Sequence, residues 1–167
     1  MSPNNKAIPL IIDCDPGQDD AIALMLAMAS PEELNLLGVS TVAGNVPLTL
    51  TEANARRIRD VSGRPEIPVF AGCPRPMVKT LETAEYVHGK SGIDGADLPP
   101  PCRPLEEAHA VDWLINILRR AERPITLATL GPLTNLAMAI VMAPEIADNI
   151  GEVVVMGGAL TLGNITP

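Results

Sequence analysis

The chain has 167 residues, 47% of them hydrophobic and 19% charged, enough apolar material to bury a core and too much for wholesale disorder. Twelve Lys and Arg stand against 20 Asp and Glu, a formal net charge of -8. That balance excludes the basic footprint of a nucleic-acid binder and the polybasic face of a protein held on anionic lipid. The length fits one domain, and with one Phe, one Tyr and one Trp the core must be aliphatic.

Residues 8–12 are a short apolar run that ends in Asp13-Cys14-Asp15-Pro16-Gly17, which predicts a buried strand followed by a turn. Residues 20–29 are apolar nearly all round and predict a helix buried on most of its faces. A second strand is predicted over 36–43, closed by Gly44-Asn45, then a helix over 48–61 and a short strand over 69–71. Residues 73–104 are rich in Gly and Pro and lack periodicity, as a functional lid or a long loop does. Helical spacing returns with Ala110, Val111, Leu114, Ile115 and Leu118, with His109 read as a cap or surface residue and Trp113 as core packing. A strand follows over 125–130, then a helix opened by Gly131-Pro132, running to Met142 and stopped by Pro144, and a last strand over 152–156. Met25, Met28, Met138 and Met142 read as core filler. Strands separated by helices predict an α/β fold, a mostly parallel Rossmann-like sheet with helices on both faces.

The N-terminus lacks the basic start, long apolar stretch and cleavage site of a signal peptide, and no apolar run is long enough to span a bilayer. Cys14, Cys73 and Cys102 are odd in number and widely spaced, so they form no disulfide framework. A reduced, cytoplasmic setting is expected, with a small neutral ligand or a cation.

Four aspartates, Asp13, Asp15, Asp19 and Asp20, lie within eight residues at the predicted carboxyl end of the first strand, where open α/β sheets bind ligands. Like charges this close repel unless a cation or a shared proton relieves them. Carboxylate oxygens without neighbouring His or Cys suit a hard cation, Ca²⁺ or Mg²⁺, rather than zinc. The plainer reading is that Asp19 or Asp20 caps the next helix and that backbone amides satisfy Asp13. Cys14, flanked by two carboxylates, is no nucleophile, because their charge raises its thiol pKa.

The run from Asp13 to Ala21 resembles the DxDPGxDDA signature of the inosine–uridine-preferring nucleoside hydrolases. The likeness continues through Val42-Ala43-Gly44-Asn45, His88-Gly89-Lys90-Ser91-Gly92, Thr129 to Asn135, Val155-Met156-Gly157-Gly158 and Gly163-Asn164. It implies hydrolysis of the N-glycosidic bond of a ribonucleoside to ribose and free base, with one Ca²⁺ and a small-molecule nucleoside substrate. By resemblance, Asp15, Asp20 and the Leu130 backbone carbonyl would hold the metal, and Asp15 would be the general base for its water. Asp19 and Asn45 would hold ribose hydroxyls or the water, Asn164 would bind ribose, Asp13 would stand behind the metal ligands, and His88 would sit on a mobile loop over the pocket. An oxocarbenium-like sugar favours such a carboxylate-rich site.

Members of that family are roughly twice as long and are commonly dimers or tetramers. They carry further ribose- and metal-binding residues beyond the position of Asn164. Residues 1–167 are therefore expected to form the N-terminal part of one nucleoside hydrolase domain, truncated, with 73–104 as a lid or insertion. In isolation such a piece should bind Ca²⁺ weakly, leave an apolar sheet edge bare and be inactive. Two rivals remain: a non-catalytic remnant that partners a full-length relative, and a haloacid-dehalogenase-like phosphatase. The second also starts with Asp-x-Asp, but here has Gly17 where Thr or Val is usual and leaves Asp19-Asp20 unexplained.

Overall fold

The computed structural model describes residues 6–161 and residue 163. Five strands carry the fold: β1 (Ile8–Cys14), β2 (Leu34–Thr41), β3 (Val69–Ala71), β4 (Ile125–Thr129) and β5 (Ile150–Val155). Between them run α1 (Gln18–Ala29), α2 (Leu48–Val61), the single turn α3 (Glu85–His88), α4 (Ala110–Arg119) and α5 (Thr134–Met142). A 3-10 turn over Pro144–Asn149 leads into β5. All neighbouring strands pair in parallel, in the order β3-β2-β1-β4-β5. The chain thus works outward from β1 in one direction and then returns to β1's other side. That reversal lies between β2 and β4 around β1, and ligands of open α/β sheets bind at the carboxyl ends beside it.

Alternation along β1 divides the core. Leu10, Ile12 and Cys14 face α1 and α2 and pack with Leu24, Met28, Ala55 and Ile58. Ile11 faces the other side, with Leu127 of the neighbouring strand β4 and Leu114, Leu118 and Ala139 of the α4/α5 layer. Each fully buried Leu or Ile contributes roughly 1.5–3 kcal/mol of burial. The one Trp lies as expected in packing: Trp113 stacks on Phe70 with ring centroids 4.2 Å apart.

Three expectations need correcting. The first helix is not buried on most faces: Asp20, Leu24, Ala27 and Met28 are buried, but Ile22 and Leu26 are each 66% exposed. A helix lying on one face of a sheet can bury only the stripe it presents, whatever the composition of its remaining circumference. Pro132 is not in the first turn of α5, which starts at Thr134, because Gly131 and Pro132 pass around the Asp15 and Gly44 corner first. Met142, the last residue of α5, is 56% exposed rather than core filler, beside the likewise outward Val141. Val153, Val154 and Val155 are all at least 39% exposed, so the apolar edge anticipated from sequence is present.

The 73–104 stretch holds only the single turn α3 and is otherwise fixed by polar contacts. Asn54 donates to the Ser91 carbonyl at 2.8 Å, and the Cys102 N–H donates to Asp60 at 2.5 Å. Among the described residues all three cysteines are free, and no helix is long and apolar enough to cross a membrane.

Candidate functional site

The acidic cluster occupies the turn between β1 and α1, at the carboxyl edge of the sheet. Asp13, Asp15 and Asp20 are at most 5% exposed, whereas Asp19 is exposed. A cavity of about 1180 Å³ opens here, lined among others by Asp15, Asp19, Asn45, His88, Leu130 and Met156. Its walls come from the segments after β1, β2, β4 and β5, together with the 76–88 stretch.

Asp15 sits where two other strands end. Its Oδ2 accepts from the Asn45 N–H at 2.7 Å, and its carbonyl accepts from the Asn45 side chain at 2.9 Å. A Cβ at Gly44 would overlap Oδ2 and one at Gly131 would overlap Oδ1, so both turns need glycine for the carboxylate to fit. Burial, the Asp20 charge and, to a smaller degree, Asp19 push Asp15 up to about 8, against the lowering effect of the Asn45 N–H.

Asp20 does both things the sequence left open. As the third residue of α1 it accepts from the Gly17 N–H at 3.1 Å through Oδ2, the helix-start role. Its other oxygen, Oδ1, is buried with no hydrogen-bond partner. Burial raises this carboxyl to about 6 despite the Gly17 bond.

Asp13 lies beneath, at the end of β1. Side chains rather than backbone amides bond it, both at Oδ1: the Ser40 hydroxyl donates at 2.5 Å and the Asn135 amide at 2.8 Å, while Oδ2 is buried without a partner. Burial nevertheless lifts it to about 6. Asn135 also donates to the Thr41 carbonyl at 3.0 Å and accepts from the Cys73 N–H at 2.8 Å, tying β1, β2, α5 and the start of the loop to one another. Nothing in the composition or periodicity singled out Asn135, Ser40 or Gln18. Their signal is only that each is a polar residue at a strand or helix end. Cys14 is raised well above the usual thiol range, first by burial and then by Asp20, Asp13 and Asp15. The charges expected to act on it do act, behind desolvation.

The sequence-derived set is thus largely brought together: Asp15, Asp19, Asn45, His88 and Leu130 line the cavity, and Asp20 and Asp13 support it from below. The Leu130 N–H donates to the Asp13 carbonyl at 2.8 Å, which pins the end of β4 against β1. Asn164 lies outside the described residues. His109 instead caps α4 far along the chain, with Nδ1 accepting from the Val111 N–H at 3.2 Å.

Among the described residues no three His, Cys, Asp or Glu side chains are arranged to hold a metal ion. The donors that are present still fit a hard cation in kind. They are oxygens only, one is a buried carboxylate oxygen without a partner, and two carboxyls are raised, first by burial and then by the neighbouring carboxylates. Asp15 and Asp20 with one backbone carbonyl would supply part of a sphere of roughly six to eight oxygens.

The sequence profile of the inosine-uridine preferring nucleoside hydrolases matches residues 10–167. An uncharacterized protein of Schizosaccharomyces pombe is 54% identical over 160 residues, covering 95% of this chain and 51% of its own length. The pyrimidine-specific ribonucleoside hydrolase RihA of Salmonella typhi is 44% identical over 161 residues, covering 96% of this chain and 51% of RihA. Among solved structures, a purine-preferring ribonucleoside hydrolase from Gardnerella vaginalis superposes with a TM-score of 0.87 at 37% identity, over 95% of this chain and 51% of that one. A plant nucleoside hydrolase superposes with a TM-score of 0.84 at 36% identity, over 96% and 51%. The chain spans about half the length of these relatives.

Proposed function

As the chain belongs to the inosine-uridine preferring nucleoside hydrolase family, we propose that its site serves hydrolysis of the N-glycosidic bond of a ribonucleoside, releasing ribose and the free base. The observation that carries this reading is the Asp15–Asp20 pair, two buried carboxylates of which Asp15 lines the cavity, with no cationic side chain among the described residues hydrogen-bonded to either. Asp15, Asp20 and the Leu130 carbonyl would hold Ca²⁺. When bound, the ion would offset the carboxylate charge and orient water and sugar hydroxyls.

Asp15 is the base in this scheme. It is held by Asn45 and by the two glycine turns in the wall of the cavity, within reach of a water bound there. It takes one proton of the attacking water, whose oxygen bonds the sugar carbon as the bond to the base nitrogen breaks. The electron pair leaves with the base, which gains its proton from solvent, and Asp15 returns its own to solvent. Asp19 and Asn45 line the same cavity and would receive ribose hydroxyls. The remaining carboxylates spread negative charge near the cationic sugar of the transition state. His88 lines the cavity from the α3 side. Asn164, by resemblance to the family's Gly-Asn step, would bind ribose.

Among the described residues Asp15 and Asp20 are the two carboxylates assigned to the ion, part of a sphere of roughly six to eight oxygens. Weak Ca²⁺ binding and no detectable nucleoside turnover are therefore expected of these residues by themselves. A polypeptide spanning the relatives' full length, with this segment as its first part, would turn nucleosides over. Both statements are tested by following release of free base from inosine and uridine, with Ca²⁺ and with a chelator. Calcium-dependent release by the long form that disappears in Asp15→Asn supports the assignment. Phosphate release from phosphomonoesters in place of base release would overturn it.

A further inference from the structure

Gln18, the first residue of α1, reaches across to the 85–94 segment. Its Nε2 donates to the carbonyl oxygens of His88 at 3.3 Å and Asp94 at 3.2 Å, and its Oε1 lies 2.6 Å from Nδ1 of His88. Carbonyl oxygens only accept, so two of them fix which end of the amide is nitrogen. The amide oxygen that then faces the imidazole also only accepts, so Nδ1 must carry the hydrogen. A neutral His88 therefore keeps its lone pair on Nε2. Gly17 makes this approach possible, because a Cβ there would stand 2.6 Å from Nδ1 and 2.7 Å from Cε1 of His88.

The gripped segment is already a unit. Asp94 accepts from the Lys90 and Ser91 N–H groups at 3.2 and 3.1 Å, and its own N–H donates to the His88 carbonyl at 3.1 Å. Asn54 holds it from the α2 side through the Ser91 carbonyl, and Gln18 holds it from the α1 side. We propose that Gln18 is a positioning residue that docks the 85–94 segment at the site and sets the His88 tautomer, so that the neutral ring offers an acceptor nitrogen to a ligand hydroxyl. The hydroxyl-bearing ligand rests on the nucleoside reading above. The docking and the tautomer do not.

The chain has two histidines, and the second is a built-in control. His109 Nδ1 accepts from the Val111 N–H, so its hydrogen lies on Nε2, opposite to His88. Long-range proton–nitrogen correlation spectra of the histidine-labelled full chain, at about pH 9 where imidazoles are neutral, distinguish the two forms. The unmodified chain should show one ring of each tautomer, with His109→Asn assigning them. In Gln18→Ala the His88 ring should lose its Nδ1–H preference and amides of the 85–94 segment should exchange about tenfold faster, while His109 is unmoved and reports an intact fold. Gln18→Glu separates the two roles, keeping an acceptor for Nδ1 but no donor for the carbonyls. It should retain the tautomer and lose the amide protection. A wild-type His88 carrying its hydrogen on Nε2, or a Gln18→Ala chain with tautomer and exchange unchanged, would overturn the proposal. Should the Ala variant lose the His109 signal, the wild-type tautomer and the Glu variant decide. Absence of Ca²⁺ binding or of base release would count against the proposed function without touching these readouts.

Discussion

A carboxylate set between two glycine turns, as Asp15 is between Gly44 and Gly131, has little freedom to escape its surroundings. Its neighbours determine its charge. Asp15 is held at about 8 and Asp13 and Asp20 at about 6, all above the ordinary aspartate value of roughly 4. The folded chain therefore binds protons that the unfolded chain has released, from about pH 4 up to about pH 8, and stability falls as pH rises through that window. The thermal midpoint in chelator should be lower at pH 8 than at pH 5, and added Ca²⁺ should raise it more at pH 8. A midpoint that climbs between those two pH values in chelator would contradict the electrostatic account. Asn135 makes a second residue-level prediction. Replacing it by Leu removes the donors to Asp13 and Thr41 and the acceptor for Cys73, and should cost about 3 kcal/mol in urea unfolding.

The elements themselves were largely legible in the sequence, for a physical reason. The helix over 48–61 and the strand over 69–71 match α2 and β3 end for end, because Pro47 and Pro68 sit directly before them and limit where each can begin. The misplaced start of α5 shows what periodicity leaves out. Pro132 suits a first helical turn locally, but the backbone there is committed to passing Asp15. Site residues clustered in sequence, such as Asp13 to Asp20, announced themselves by charge density. Gln18 and Asn135 did not, because each acts across the fold, on Asp94 and His88 or on Asp13 and Cys73, through contacts no local pattern contains. Two substitutions test these elements. Gly131→Ala in the β4–α5 turn should push the Asp15 carboxylate aside and weaken Ca²⁺ binding about tenfold. Val154→Lys on the half-exposed edge strand β5 should reduce self-association in light scattering while changing unfolding stability by no more than about 0.5 kcal/mol.

Across the molecule, the strand order brings the segments after β1, β2, β4 and β5 to one edge of the sheet, and the cavity lies there. Family membership and the superposition on solved nucleoside hydrolases agree with that placement over almost the whole chain, which in turn spans about half of each relative. The same geometry explains why Asp15, Asp19 and Asn45, from different segments, meet at one cavity. It also explains an edge strand whose valines are exposed on a sheet otherwise clothed by helices.

The decisive experiment is calorimetric titration of Ca²⁺ into the metal-stripped chain at neutral pH, beside Asp15→Asn and Asp20→Asn. One ion per chain is expected, with a dissociation constant on the order of 10⁻⁴ to 10⁻³ M, and at least about tenfold weaker binding in either variant. A folded chain that takes up no Ca²⁺, or one whose binding survives both substitutions unchanged, would contradict the assignment of Asp15 and Asp20 as the cation-holding pair.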